Sequence, residues 1–426
     1  MIGPRTIKLY EAGLFAALII GTTSNVVAQP KKFPIDIELY ADARLAFASG
    51  EPSWFNGWLG KGRYGGTREG GSRTHARLSE VSLLAKADIT WNVKSFLHLK
   101  YDPEQDRGVD IVEAFVKYQP VPISAFEYSL KAGLFFPHIS RENVGVAWTS
   151  PYTITPSAVN SWVGEEIRTL GLEALATYKG EVHTLSLTAA IFGFNDPAGT
   201  LLAFRGWGLG DAKVGAFGEL PLAELPQIGP DSDFIKQPFW VRPVREIDNR
   251  PGFYGAFDWQ YGDNIQVGAF YYDNRGNPEV IKNKQYAWDT KFWNWYIEAE
   301  LSNEVKFISQ YMLGNTKMGG IWRYGQRYVD VDYHAGFVLL TKKLDRFRVS
   351  ARYDWFGTDD NSFEEFDDNN ENGTALTAAI SANVFKKDVL LLEYLHISSE
   401  RGARETIGFS SDQKNDIFQI SFRKHF

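Results

Sequence analysis

From Ile35 to the C-terminus the chain alternates apolar and polar residues with a period of two, and this repeat limits its fold more than any motif does. Successive side chains of a strand point to opposite faces, so such alternation marks a sheet with one greasy and one wet side. Val81, Leu83, Ala85, Ala87, Ile89 and Trp91 alternate with Glu80, Ser82, Lys86 and Asp88. Phe347, Val349, Ala351, Tyr353 and Trp355 alternate with Arg346, Arg348, Ser350, Arg352 and Asp354. Sixteen blocks of this kind follow one another: 35–47, 76–90, 94–102, 110–119, 127–136, 166–178, 182–194, 252–261, 264–273, 288–301, 304–314, 331–341, 345–356, 374–384, 388–398 and 416–426.

The connections between blocks alternate in length. Short ones, such as Lys179–Glu181, Tyr261–Asn264 and Phe385–Asp388, read as tight hairpin turns. Between them run mostly longer segments at 48–75, 103–109, 137–165, 195–251, 274–287, 315–330, 357–373 and 399–415. A soluble sandwich or propeller has no reason to sort loop length by end, whereas an outer-membrane barrel has short periplasmic turns and long extracellular loops. Lipid offers no hydrogen-bond partner, so a sheet inserted there must close on itself. The expected fold is all-β: a closed antiparallel transmembrane β-barrel of about 16 strands. Part of the long segment, Ala212–Leu220, is itself strand-like and could add to that count.

Composition agrees. The 426 residues include 30 Phe, 20 Tyr, 13 Trp and 39 Gly, and the mean hydropathy is only −0.27. No apolar run near the membrane-helix length of about 18 residues occurs apart from a short stretch at the start. The absence of cysteine removes thiolate catalysis, Cys-based metal sites and disulfides together. A slight acidic excess argues against nucleic acid as a partner.

Residues 1–28 read as a secretory signal: Arg5 and Lys8, then apolar Leu14–Ile20, then small residues to Val26-Val27-Ala28 before Gln29. The mature chain is then 29–426, with 43 basic and 51 acidic residues and a formal charge of −8. Trp91, Trp259, Tyr261 and Phe385 lie at the expected turns, and Tyr271, Tyr272, Trp293, Trp295 and Trp355 nearer the other end, as two interfacial girdles require.

The chain closes on Ile417-Phe418-Gln419-Ile420-Ser421-Phe422-Arg423-Lys424-His425-Phe426. With the signal and the dyad strands, this run resembles the sixteen-strand bacterial outer-membrane porins. Phe426, with Phe422, Ile420 and Phe418 at alternate positions before it, is similar to the signal read by the barrel-assembly machinery, although Lys424 stands where that class usually has an aromatic or apolar residue. Length and layout, including Lys131-Ala132-Gly133-Leu134-Phe135-Phe136-Pro137 entering a loop, look most like the phosphate-selective porin family. The resemblance implies passive diffusion through a water-filled barrel, often as a homotrimer, in contact with outer-membrane lipid and lipopolysaccharide.

Sixteen strands leave an aqueous channel, and fixed charge near the narrowest point sets selectivity. Inward candidates are mixed in sign: Lys86, His98, Lys100, Lys117, Lys131, Arg346, Arg348 and Arg352 against Glu80, Asp88, Glu113, Glu173, Glu298, Glu300 and Asp332. The mixture speaks against carrying over phosphate selectivity, which would want basic residues with few carboxylates nearby. Arg346, Arg348 and Arg352 form the best basic cluster, and the alternative is a solvated wall facing carboxylates. The segment 137–165 leaves the fifth strand and is expected to narrow the pore, with Arg141, Glu142, Glu165 and Glu166 lining it. The segment 195–251 could plug the lumen or cover a neighbouring subunit.

Motifs for chemistry are few. Asp368–Gly373 matches half of a calcium loop, but Ala379 takes the place of the bidentate glutamate, so a solvated acidic loop is the alternative reading. The expectation is a porin for ions and small hydrophilic solutes, with no catalytic residue, metal or cofactor. The alternatives are a plugged barrel acting as receptor or adhesin, and an outer-membrane hydrolase. The latter needs Ser and His at neighbouring outward positions near the upper interface, and no convincing pair is visible in the sequence.

Overall fold

The computed structural model describes residues 35–426 except 230, 231, 233, 235, 302, 303, 323, 324, 364–367 and 386. The signal read at 1–28 lies outside the described residues. Sixteen antiparallel strands form one closed barrel in sequence order. They are β1 (Ile35–Ala48), β2 (Arg73–Asp88), β3 (Val93–Tyr101), β4 (Val109–Tyr118), β5 (Phe126–Phe135), β6 (Thr169–Lys179), β7 (His183–Gly193) and β8 (Gly252–Tyr261). Then follow β9 (Ile265–Asp273), β10 (Asp289–Glu300), β11 (Val305–Ile321), β12 (Arg327–Leu344), β13 (Phe347–Asp360), β14 (Glu371–Phe385), β15 (Asp388–Arg401) and β16 (Asp412–His425). Each coincides with one block of the dyad repeat. Closure is made by β1 against β16, from Tyr40 opposite His425 to Ala48 opposite Ile417, and the Phe426 amide donates to Leu39 O at 3.0 Å.

The alternation does what its period dictates. On β7, Leu185, Leu187 and Ile191 are exposed on the outer wall while Thr188, Ala190 and Phe192 are buried inside. On β16, Phe418 faces out, and Ile417, Gln419, Ser421 and Arg423 are buried within. Trp91, Tyr261 and Phe385 are exposed at the short-turn end, and Trp293 and Trp295 are exposed on the outer wall.

Four expectations change. Tyr272 faces inward and is fully buried, stacked on Phe192 and Phe292 at 5.0 and 4.9 Å, so it belongs to no outer girdle. Asp332, expected inward, lies on the outward face of β12, because Val331, Tyr333 and Ala335 take its inner face. The expected loop at 315–330 is mostly strand: Asn315 and Lys317 reach Asp330 across the β11–β12 ladder at 2.8 and 3.0 Å. Of Ala212–Leu220, only Leu220 enters a sheet, a two-residue ribbon with Trp240–Val241 that is separate from the barrel sheet.

The segments between β5 and β6, β7 and β8, and β1 and β2 fold inward. The first carries α1 (Ala158–Glu166), every residue of which is buried. Its start is fixed by Ser157, whose hydroxyl accepts from the Asn160 amide at 3.3 Å. The second carries α2 (Thr200–Phe204), also wholly buried. Trp162 and Trp207 meet edge-on at 6.0 Å and both pack on Tyr333 of the wall.

Leu187 sits mid-strand on the outer wall at 62% exposure. Leu187→Arg is expected to cost about 2–4 kcal/mol on insertion into lipid, and Ser186→Arg, on the inner face, much less. Urea titration of the barrel refolded in vesicles checks this; equal losses would contradict the assignment of faces.

Candidate functional site

The interior is divided. Along β7 to β13 its long-loop half is aromatic: Phe192, Tyr254, Phe270, Tyr272, Phe292, Tyr333 and Phe356 join one buried cluster with Trp162 and Trp207 of the inward segments. Burying large rings against a loop removes apolar area from water at roughly 25 cal/mol per Å², which gives the inward segments a dry surface to adhere to. From β13 through β16 to β3 the interior carries most of the buried charge, although Leu395, Ile397 and Ile417 extend the apolar cluster into its long-loop half.

On this polar side a file of ion pairs runs between the two ends. At the long-loop end Arg77 pairs with Glu104, which Arg63 also reaches at 3.1 Å. Arg63, from the β1–β2 segment, continues to Asp102 at 3.1 Å and to Asp211 at 2.9 Å. Asp211 also takes Arg44 of β1 at 2.8 Å, and Arg44 takes Asp42 at 2.5 Å. Asp42 lies 3.5 Å from Arg423 of β16, which donates to Ser150 O at 2.7 Å. Arg423 then lines a cavity of about 310 Å³ at the short-turn end, with Lys343, Arg346, Arg348, Tyr40 and His425. Asp345 is the only carboxylate in that lining.

The residues singled out from sequence fall into three groups. Arg346 and Arg348 line the short-turn cavity, Arg346 exposed and Arg348 half-buried, while Arg352 is fully buried farther in. Arg352 bonds Asp354 at 2.8 Å, Glu142, Thr155 O at 2.7 Å and Pro156 O at 3.0 Å, so the three arginines do not act as one cluster. Glu142 also accepts from the Ser157 amide at 2.8 Å and from Asn160 at 3.0 Å, which ties the 137–165 segment to β13. Arg141 reaches Asp258 of β8 at 2.5 Å and covers the Tyr296 ring at 3.5 Å. The segment thus crosses the lumen from wall to wall, and Glu393 of β15 receives its Ile154 and Thr155 amides at 2.5 and 3.1 Å.

Glu165 and Glu166 lie inside the packed segments, away from any open surface. Glu165 pairs with Arg205 at 2.8 Å; Glu166 accepts from Trp162 Nε1 at 2.6 Å and from the Gly199 and Leu201 amides at 3.0 and 2.9 Å. Burial pushes both carboxyls up to about 7, against the pull of those partners. They join the two inward segments. Lys131 pairs with Glu173 at 2.8 Å, beside Lys117 on the neighbouring strand. Lys100 is buried against Gln105 at 2.8 Å and the Lys213 carbonyl.

Glu371, from the half calcium loop, is buried at 2.5 Å from Lys61. Asp360 of the same loop region accepts from the Asn369 amide at 2.9 Å. Asp42, Arg44, Arg63, Asp211 and Arg423 were not among the candidates. Asp42 and Arg44 carry a signal, two opposite charges at alternate inward positions of the first strand, but Arg63 and Asp211 come from loops whose placement no local pattern reveals.

No family profile matches the sequence, and no curated protein sequence matches it. Among solved structures the chain is similar to an anion-selective porin from Comamonas acidovorans, at 10% identity and TM-score 0.51 over 93% of this chain and 100% of the porin. It is similar also to the outer membrane channel DcaP of Acinetobacter baumannii, at 11% identity and TM-score 0.51 over 92% and 97% of the two chains. At such identity the likeness is one of fold: the closed sixteen-strand barrel of outer-membrane porins.

Arg352→Met strands Glu142 and Asp354 without their cation and is expected to cost about 3–5 kcal/mol, most of which returns in the triple variant with Glu142→Gln and Asp354→Asn. Chemical unfolding of the barrel in detergent measures both. A loss below about 1 kcal/mol would mean that water screens these pairs as it does on a surface.

Proposed function

We propose that the protein is an outer-membrane channel through which small charged, hydrophilic solutes diffuse passively. The observation that carries this reading is the closed sixteen-strand barrel with a cation-lined cavity of about 310 Å³ at its short-turn end, formed with Arg346, Arg348 and Arg423. The short-turn end is then periplasmic and the long-loop end extracellular, as short turns and long loops are arranged in such barrels. The segment 137–165 acts as the constriction, through Arg141, Glu142 and the Glu393-bound turn. The cation-rich periplasmic cavity favours anions there, because a confined low-dielectric wall makes each fixed charge count for more than in bulk water.

A second reading has its own support. Asp42, Arg44 and Arg63 are buried and mutually paired, and α1 and α2 are wholly buried, which favours a barrel closed at rest by its own loops. The hydrolase reading finds less. His396 and Ser398 occupy alternate outward positions of β15, and His396 Nδ1 lies 2.8 Å from Asp416, yet among the described residues no serine hydroxyl hydrogen-bonds to that ring.

Purified protein in planar bilayers is expected to give discrete conductance steps. Arg346→Ala with Arg348→Ala should lower anion over cation permeability in reversal-potential measurements without abolishing the steps. Electrical silence of the folded barrel would favour the closed plug, and an unchanged reversal potential would remove the two arginines from the path.

A further inference from the structure

A crevice at the long-loop end adjoins the Arg77 and Glu104 crevice through a shared residue, Arg73. It has a volume of about 350 Å³ and is lined by Pro52, Asn56, Trp58, Thr67, Arg68 and Arg73 beside the Gly65-Gly66 backbone. Its lining holds two arginines and no carboxylate. Arg68 lies 5.5 Å over the Trp58 ring, and Phe409 of the last loop braces that ring edge-on at 5.6 Å.

The crevice is built in advance. Gly66 donates to Glu51 O at 3.1 Å, the Gly65 carbonyl bonds a ring nitrogen of His75 at 3.0 Å, and Thr67 closes its turn by donating to Gly71 O at 2.9 Å. A side chain at Gly65 would come within 2.3 Å of the Ser53 amide, so the loop can lie this close only with glycine there. Of the acids near it, Glu51 is held by Arg404 at 2.7 Å and Glu104 by Arg63 and Arg77, while Glu69, next to Arg68 in the chain, is exposed to solvent.

We infer that this crevice captures small hydroxylated carboxylates of the sugar-acid kind before they enter the charged file. Cation–π contact with Trp58 at 5.5 Å biases the position of the Arg68 guanidinium, and a guanidinium so placed meets a carboxylate with two parallel hydrogen bonds. Arg73 adds a second positive charge. Asn56 and the Thr67 hydroxyl supply neutral donors and acceptors for ligand hydroxyls, and Trp58 and Pro52 supply apolar surface for a ring face. A bare inorganic anion would use the arginines and leave the rest of the lining idle. Arg73, shared by both crevices, would pass the carboxylate toward Arg77 and Arg63.

The passage rests on the channel reading, but the binding does not. The full barrel in detergent, titrated with galacturonate and followed by tryptophan fluorescence and calorimetry, is expected to saturate, with galactose and inorganic phosphate each about tenfold weaker. Arg68→Ala with Arg73→Ala should weaken galacturonate about tenfold or more, and Arg68→Lys, which keeps the charge but loses the fork, by an intermediate factor. No saturation, equal binding of galactose, equal binding of phosphate, or an unaffected double variant would each overturn the assignment. A barrel that is silent in bilayers yet binds galacturonate would overturn the channel and leave this site standing.

Discussion

The pairing of Ile35–Ala48 with Asp412–His425 is the contact on which the rest of the molecule depends. Without it the two end strands would each present a row of unpaired amides and carbonyls, which a hydrocarbon environment does not tolerate. With it, every strand has two neighbours and the wall needs only side chains to choose its surroundings. The dyad repeat makes that choice, outward to Leu187 and Phe418, inward to Phe192 and Ser421.

Closure creates a second problem, an interior too wide for wall side chains to fill. Three inward segments meet it in two ways. Against β7 to β13 they offer rings and aliphatic side chains, so Trp162 and Trp207 pack on Phe292 and Tyr333 as in a soluble core. Against the remaining wall they offer charge. Desolvating an arginine is costly unless a carboxylate and further acceptors replace its water, and Arg63, Arg352 and Arg404 each have both. One half of the lumen is thereby made dry and the other electrostatically organised.

The wall was legible in the sequence because a strand's environment is written locally, two residues at a time. All sixteen blocks became strands, and the β11–β12 extension escaped notice only because Gly314, Gly319 and Gly320 interrupt the apolar rhythm there. Facing was harder where both sides are aromatic. On β10, Phe292 and Tyr296 point in while Trp293 and Trp295 point out, and on β9 the same ambiguity misplaced Tyr272. The charged file was illegible for a different reason: Arg63 and Asp211 lie 148 positions apart, and nothing local says that two loops meet. Arg141 and Glu142 were visible as charges in a segment leaving the fifth strand, but their partners Asp258 and Arg352 belong to distant strands.

The proposed channel depends on a lumen split into a charged side, open to water at its short-turn cavity, and a dry aromatic side. Because the native chain lacks cysteine, single cysteines introduced at Arg346 and Arg348, which line the short-turn cavity on the charged side, and at the buried Phe292 and Phe270 on the aromatic side, report water access directly. A charged methanethiosulfonate reagent added to the folded barrel should modify the first pair and spare the second. Equal modification at all four positions, or labelling confined to Phe292 and Phe270, would contradict the division.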